Sequence, residues 1–329
     1  MAKLVTIIGG SGFVGRYIAR RMAKEGWRVR VATRRPNEAL FVKPYGAVGQ
    51  VEPVFCNIRD DASVRAALSG ADAVVNCVGT FEFRGQNNLD AVQVGGAGRV
   101  ARIAAELGLG AVVHISAIGA DVHGPSNYLR TKGEGEAAVL AAFPGAMILR
   151  PSVIFGSDDH FFNHFAGLAR MAPVVPILPV VGGNTEFQPV YVDDVAQAAV
   201  KGVLGQASGI YELGGPERAT FKALMHRMLG VIQRRRLVWN LPFWVGSVLG
   251  VVFDGVHAMT GGLVPNPVIS RDQVRSLRVP MVVSAGAKGL GDLGIQATAI
   301  DAVLPEYLWR YRPSGQYAAI KASAKNLKV

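Results

Sequence analysis

The chain has 329 residues, half of them hydrophobic, with 40 glycines and two cysteines, so it is long enough for one large or two modest domains with ample core. There are 35 basic against 24 acidic residues, and the net charge of +11 suits an acidic partner such as anionic lipid or an acidic protein surface. Nucleic acid ranks last, because no nucleic-acid motif appears and the aromatics are not interleaved with the basic residues.

Leu4–Ile8 is short and β-branched, as a buried parallel strand should be, and helical apolar spacing runs from Phe13 to Lys24. Between them Gly9, Gly12 and Gly15 form a G-x-x-G-x-x-G turn, Gly9-Gly10-Ser11-Gly12-Phe13-Val14-Gly15. Such glycines let the backbone turn tightly, approach a pyrophosphate and pack helix on strand, while the helix N-terminus offers N–H groups to the anion. A tight turn alone would also use glycine. The place of this one, between a first strand and a first helix, favours dinucleotide binding.

The second strand, Arg28–Thr33, ends in Arg34-Arg35, with no acid there to hold a ribose 2′-hydroxyl. Basic residues at that position accommodate a 2′-phosphate, so NADP(H) is expected over NAD(H), with Ser11 a candidate additional donor. A solvated loop arginine is the competing reading for either one.

A Pro- and Gly-containing link then leads to a strand ending Val54-Phe55-Cys56 and a helix from about Asp61 to Leu68. Ala73–Cys77 follows as strand, Ala97–Leu107 as helix, Ala111–Ile115 as the fifth strand, Tyr128–Ala142 as helix and Ala146–Arg150 as the sixth strand. Right-handed crossovers make this alternation one α/β, Rossmann-like doubly wound parallel sheet with helices on both faces. Ligands bind outside the carboxyl ends of such strands, where Gly9–Gly15, Arg34, Asn57, Val78-Gly79 and Ser116 fall. Cys56 and Cys77 end the third and fourth strands, which are not neighbours in the order 3-2-1-4. No disulfide is expected, and both read as buried thiols in a reducing cytoplasm. The first strand begins almost at once, so no signal peptide is expected.

Beyond Arg150 the alternation loosens, and Pro and Gly become frequent. Gln188–Val195 reads as a strand returning to the core, with a helix from Asp193 whose two acids favour its dipole. The expected division is a dinucleotide domain over 1–150 with a returning segment at about 188–207, and a smaller discontinuous C-terminal domain within 151–329. Leu241–Val264 is the most apolar stretch, but a span needs about 20 uninterrupted apolar residues. Asp254, His257, Gly246, Gly250 and Pro242 weaken it as a span. Arg234-Arg235-Arg236, Trp239 and Trp244 beside it fit a helix lying on an anionic membrane surface, and a buried helix of the second domain fits as well.

Tyr128-Leu129-Arg130-Thr131-Lys132 sets a tyrosine and a lysine one helical turn apart on a shared face. A lysine so placed holds a nicotinamide ribose and lowers the phenol pKa, letting tyrosine trade a proton with a carbonyl as hydride moves. With this pair, Gly9–Gly15, Val78-Gly79, His114-Ile115-Ser116, Leu149–Gly156 and Val190–Val195, residues 1–200 resemble the extended short-chain dehydrogenase/reductase superfamily. A closer resemblance spans nearly the whole chain, to the alpha-subcomplex subunit 9 family of respiratory complex I (NADH:ubiquinone oxidoreductase). It is carried by Asn127–Lys132, Pro151–Phe155 with Asp158, Phe161 and Asn163, Gln188–Val192, and above all Gly289–Thr298, which lies outside the cofactor motifs. The absence of a targeting extension looks like a bacterial member.

That resemblance implies a tightly held NADPH and a non-catalytic accessory subunit that stabilises or helps assemble complex I. It implies a peripheral place on the cytoplasmic face of a bacterial inner membrane. The partners would be core subunits near the quinone-binding region, an anionic lipid surface, and no nucleic acid. Gly12, Phe13 and Val14 would meet the pyrophosphate beside Gly9, Ser11 and Gly15, Arg34 and Arg35 the 2′-phosphate, and Asn57 with Ile58 the adenine side. Val78 and Gly79 would line the ribose, with Ser116 nearby. Tyr128 and Lys132 would anchor the nicotinamide ribose, and Pro151 and Val153 would pack near the nicotinamide. No catalytic residue and no metal are assigned. One departure bears on turnover: Ser116-Ala117-Ile118-Gly119 puts Ala117 where active extended enzymes carry serine or threonine. The alternative, an active NADPH-dependent reductase or epimerase, is favoured by the intact Tyr128/Lys132 pair.

Other clusters read as structural. His160 and His164 are spaced i, i+4, with no glutamate between them and no third ligand at a metal spacing. His114 is expected to hydrogen-bond locally on a buried strand. Asp193 and Asp194 diverge at a helix start and read as capping, Arg234–Arg236 as a solvated face, and Lys321, Lys325 and Lys328 as a basic tail.

Overall fold

The computed structural model describes residues 2–83, 85–171, 176–259 and 270–317, with backbone alone for 253–259 and 316. Residues 260–264 of the apolar stretch, and Lys321, Lys325 and Lys328, lie outside the described residues.

The chain begins with β1 (Leu4–Ile8), α1 (Phe13–Lys24), β2 (Arg28–Thr33), β3 (Val51–Phe55), α2 (Asp61–Leu68) and β4 (Ala73–Asn76). It continues with α3 (Ala97–Glu106), β5 (Ala111–Ile115), α4 (Asn127–Ala142), β6 (Met147–Pro151), β7 (Ile154–Phe155), α5 (Phe162–Met171) and β8 (Ile177–Val181). Then come β9 (Glu186–Phe187), β10 (Val190–Tyr191), α6 (Val192–Val203), β11 (Gly209–Leu213), β12 (Ala219–Thr220) and α7 (Phe221–Val231). Last are β13 (Leu237–Leu241), α8 (Phe243–Met259), α9 (Arg271–Ser276) and α10 (Ile300–Leu308).

Two compact units divide these elements. The first takes Met1–Ser152, Val192–Gly214 and Val283–Ala297. Its sheet has seven parallel strands in the order β3-β2-β1-β4-β5-β6-β11. Every residue of β1 is buried, because helices cover both faces of a parallel sheet and leave no polar side. Ile8, Leu68, Val74, Ile103 and Ile148 share one apolar cluster on the α2–α3 side. Strand order reverses between β1 and β4, which opens the crevice where such sheets take ligands.

Two sequence expectations are corrected here. The strand expected within Gln188–Val195 forms at Val190 and Tyr191, but it pairs with Ile154 and Phe155 in the second unit. The seventh strand is β11, beside β6, so the returning segment runs over 192–214 instead of 188–207. Residues 283–297, expected in the second domain, also belong to the first unit. The Glu212 N–H donates to Lys288 O at 2.8 Å, and the Glu212 carboxylate accepts the Ser284 N–H at 2.7 Å. The acids at the start of α6 do more than favour its dipole. Asp193 accepts two hydrogen bonds from Arg21, at 2.7 and 2.5 Å, and so ties α6 to α1.

The second unit takes Val153–Tyr191, Gly215–Val282 and Thr298–Val329. Its strands are short pairs, β7 with β10, β8 with β13 and β9 with β12. Buried Phe155, Phe162, Phe187 and Phe221 form its core with helices α7 and α10. The buried Asp159 carboxylate accepts N–H bonds from Gly156 at 3.2 Å and Asn163 at 3.0 Å, and the Tyr307 hydroxyl bond at 2.5 Å. On α8, Gly246 and Gly250 face Val181 and the Arg271 backbone, where an added Cβ would lie within 2.7 Å of its nearest neighbour. Trp244, Val248, Val251 and Val252 share another face, and each is more than half exposed. That face is not a buried one. No helix among the described residues is long and apolar enough to cross a membrane.

Candidate functional site

The glycine turn is built as close approach requires. Gly9 has φ +77°, and its N–H donates to Ala32 O at 2.9 Å, fixing the turn to the end of β2. A Cβ on Gly15 would lie 2.5 Å from Gly9 O and 2.6 Å from Gly10 Cα, so only glycine fits between turn and helix. Gly12 is the N-cap of α1, no side chain caps it, and no acid sits in the first turn. The first-turn N–H groups of Phe13, Val14 and Gly15 are therefore presented to an anion. Ser11 donates to Thr33 Oγ1 at 3.2 Å. Arg16 adds a cation the motif did not reveal: its guanidinium donates to Gly12 O and Ser11 O at 3.3 and 3.2 Å. Its position four residues after Gly12, one turn along α1, was the available signal.

At the end of β2, Arg34 is exposed and makes no side-chain bond among the described residues, while Arg35 pairs with Glu38 at 3.3 Å. After β3 the Asn57 side-chain Oδ1 accepts the Arg59 N–H at 3.2 Å. Ile58 is buried, and a Cβ on Gly96 would lie 3.1 Å from it, so this side chain serves the core. Val78 closes over the turn, its Cγ2 3.0 Å from where a Gly9 Cβ would stand, and its N–H donates to Asn76 Oδ1 at 3.1 Å. Gly79 is exposed, and an added Cβ there would lie 3.7 Å from Lys132 Nζ.

Ser126 caps α4, its Oγ accepting the Leu129 N–H at 3.2 Å, and this sets Tyr128 and Lys132 on one helical face. The Lys132 ammonium donates to Ile115 O at 3.1 Å and lies 6.0 Å from the centre of the Tyr128 ring. Burial lowers the Lys132 pKa to about 8, partly countered by Glu136 and Cys77. The Tyr128 phenol moves the other way from an activated one: burial pushes it up to about 12. Phe81, which no periodic pattern marked, stacks on Tyr128 with ring centres 4.7 Å apart and planes 16° from parallel. Beneath them the Thr131 hydroxyl meets Gln93 Oε1 at 3.1 Å, and Gln93 donates to Thr80 O at 2.7 Å.

His114 and Ser116 alternate with Ile115 and so leave β5 on one face. Asn76 donates to His114 Nδ1 at 3.2 Å, and burial, aided by the Lys132 charge, lowers the imidazole pKa to about 3. The His114 Nε2 and Ser116 Oγ atoms are buried and find no hydrogen-bond partner among the described residues. The Ser116 hydroxyl therefore does not turn back to its own backbone. Buried polar atoms left this way fit a ligand or ordered water against the end of β5. Pro151 ends β6, its carbonyl accepting the Ile118 N–H at 3.0 Å, whereas Val153 belongs to the second unit. Among the described residues no cluster of His, Cys, Asp and Glu could hold a metal. Cys56 and Cys77 are both free thiols, raised to about 11 and about 12 by burial.

Turn, helix N-terminus, adjoining arginines and the Ser116 hydroxyl together fit a dinucleotide with its pyrophosphate at Gly12–Gly15. The profile of the NAD dependent epimerase/dehydratase family matches residues 5–214. The mitochondrial NADH dehydrogenase [ubiquinone] 1 alpha subcomplex subunit 9 of Arabidopsis thaliana is 32% identical over 95% of this chain and 79% of its own length. A ceramide reductase of Caulobacter vibrioides is 31% identical over 78% of this chain and 79% of its own. A Thermus thermophilus UDP-glucose 4-epimerase in complex with NAD shares the fold, with a TM-score of 0.67 at 16% identity over 94% of this chain and 99% of that one. The chain thus belongs to the NAD dependent epimerase/dehydratase family and, within it, to the alpha subcomplex subunit 9 family of complex I subunits.

Proposed function

We propose that the chain is a non-catalytic accessory subunit of complex I that holds NADPH tightly and stabilises or helps assemble the complex beside its quinone-binding region. The observation that carries this reading is the reach of the likeness to complex I subunits, 95% of the chain in the plant relative. That span includes Gly289–Thr298, outside the nucleotide motifs. Arg34 and Arg35 in place of an acid support NADPH over NADH. Nucleotide binding would fix Gly9–Gly15, Arg34, Arg35, Asn57, Val78, Gly79, Ser116, Tyr128 and Lys132 around one ligand and so stabilise the first unit. The raised Tyr128 phenol, its Phe81 cover and Ala117 support retention without turnover. The basic excess and the exposed Trp244 face of α8 support a peripheral place against anionic lipid, on the cytoplasmic face of a bacterial inner membrane.

The second reading is a working NADPH-dependent reductase. The Ser116 hydroxyl, without a partner among the described residues, the Tyr128/Lys132 pair and the likeness to a relative named ceramide reductase favour it. An affinity pull-down of the tagged chain from gently solubilised membranes separates the two. Stoichiometric recovery of complex I core subunits with NADPH in the eluate is the expected result. Recovery of the chain alone, together with carbonyl-dependent NADPH oxidation, would overturn it.

A further inference from the structure

In the second unit six arginines, Arg170, Arg234, Arg235, Arg236, Arg310 and Arg312, gather around Tyr311 and the end of α7. α7 ends in a turn where the Gln233 N–H bonds to Gly230 O and the Arg234 N–H bonds to Leu229 O, each at 3.1 Å. Gln233 itself takes φ 54°, a left-handed conformation that normally falls to glycine. The turn delivers Arg234, Arg235 and Arg236 into a shallow depression of about 500 Å³ that is also lined by His226.

The contacts of these arginines are with carbonyls and one aromatic ring. Arg234 Nε donates to Tyr311 O at 2.8 Å, Arg236 to Arg235 O at 2.8 Å, and Arg312 Nε to Val231 O at 2.8 Å. Arg170 and Arg310 both lie over the Tyr311 ring, at 5.5 and 5.4 Å from its centre. Among the described residues Glu217 and Asp301 are held by Arg227. Arg236 Nε is buried with no acceptor among the described residues. Burial and the like charges of Arg236 and Arg170 lower the Arg234 pKa.

A guanidinium with a buried donor left over, among like charges, calls for an anion with several acceptor oxygens, and phosphate matches the planar fork best. We infer that Arg234, Arg235 and Arg236, with His226, form a binding site for a phosphate group, carried either by a phospholipid headgroup or by a soluble phosphate ester. It is separate from the glycine turn, which lies in the other unit, and stands whether or not the nucleotide reading does. Exposed Leu237 and Trp239, which follow the arginines on β13, are the apolar neighbours a headgroup would bring its chain against.

The test uses the full chain with its nucleotide and two probes: vesicles of phosphatidylglycerol with phosphatidylcholine, and glycerol 3-phosphate. Binding is compared in Arg234→Gln/Arg236→Gln and in Arg218→Gln/Lys222→Gln, which removes the same charge from exposed positions. The first pair is expected to weaken binding about tenfold or more, as loss of charge-assisted bonds does, and the second to leave it nearly unchanged. Vesicle binding that glycerol 3-phosphate cannot displace assigns the site to lipid, and tight binding of the ester alone assigns it to a soluble phosphate. In the unaltered protein, either ligand should shield Arg234 and Arg236 from phenylglyoxal, read by mass spectrometry, so the idea survives a variant that fails to fold. No binding of either probe, equal losses in both double variants, or no shielding would overturn it. Nucleotide retention, followed in parallel, is expected to be unaltered.

Discussion

The ring of Phe81 lies flat on the ring of Tyr128, 4.7 Å between centres and 16° between planes, on the same tyrosine that shares a helical face with Lys132. In a carbonyl reductase the lysine charge should draw the phenol pKa down. Here burial sets the shift, and the phenol stands at about 12.

Phe81→Ala should therefore admit water and lower the Tyr128 pKa from about 12 toward the ordinary value of about 10. Phenolate absorbance during alkaline titration, differenced against Tyr128→Phe, reads this directly. An unchanged titration would mean that Phe81 does not keep the phenol dry. Under the accessory reading, the variant also gains no aldehyde-dependent NADPH oxidation.

Lys132 imposes a pH dependence of known sign. Its folded pKa of about 8 lies below the ordinary 10.5, so between those values the unfolded chain binds the extra proton. Burying the charge costs stability below pH 8, and the nucleotide-free protein should gain stability as pH rises from about 8 to about 10.5, at up to about 1.4 kcal/mol per unit. Denaturant unfolding across that range, compared with Lys132→Met, should show a shallower rise in the variant. Parallel curves would assign the buried lysine a different charge state.

His114 works in the acid range. With a folded pKa of about 3 against 6.5 unfolded, it contributes stability above pH 6.5 that is lost progressively as pH falls toward 3. His114→Gln should flatten the acid limb of the stability profile. If acid unfolding keeps its midpoint and slope, other groups carry it.

The alternation of strand and helix was legible because a parallel sheet covered on both faces demands runs such as Leu4–Ile8 and Ala111–Ile115, and these hold their expected bounds. β11 was missed because Gly209-Ile210-Tyr211-Glu212-Leu213 is an edge strand with a buried glutamate, satisfied by Ser284 and by Arg150 at 3.7 Å from far along the chain. No local pattern announces such a partner. Likewise the seven-residue π-helical stretch Asp90–Gly96 before α3 has no periodicity of its own. At the site, the glycines and the Tyr128/Lys132 pair were readable from spacing. Phe81 was not, because it acts from an irregular loop, and Arg16 offered only its place one turn after Gly12 while acting through backbone carbonyls.

Gly15→Ala isolates the turn. Its Cβ would press on Gly9 O at 2.5 Å and Gly10 Cα at 2.6 Å, both backbone atoms that yield only if the whole turn moves. A loss of about 1–3 kcal/mol in stability and loss of nucleotide retention should come together, read by thermal unfolding with and without NADPH. Retention of nucleotide at full affinity would show that the turn does not hold the pyrophosphate.

Arg34 and Arg35 carry the choice between cofactors. Among the described residues the Arg35 side chain meets only Glu38, at 3.3 Å, with both side chains about 70% exposed or more, and such a pair contributes little by itself. Both guanidiniums can therefore turn to a 2′-phosphate at small cost. Arg34→Asp with Arg35→Ala should weaken NADPH retention about tenfold to a hundredfold, from the loss of charge-assisted hydrogen bonds and the gain of a repelling carboxylate. The same aspartate would accept from a ribose 2′-hydroxyl, so NADH should gain relative to NADPH. Fluorescence titration with both nucleotides measures the ratio. If NADPH is held as tightly as before, the 2′-phosphate is not read at the end of β2, and Arg16 beside the glycine turn becomes the cation to test.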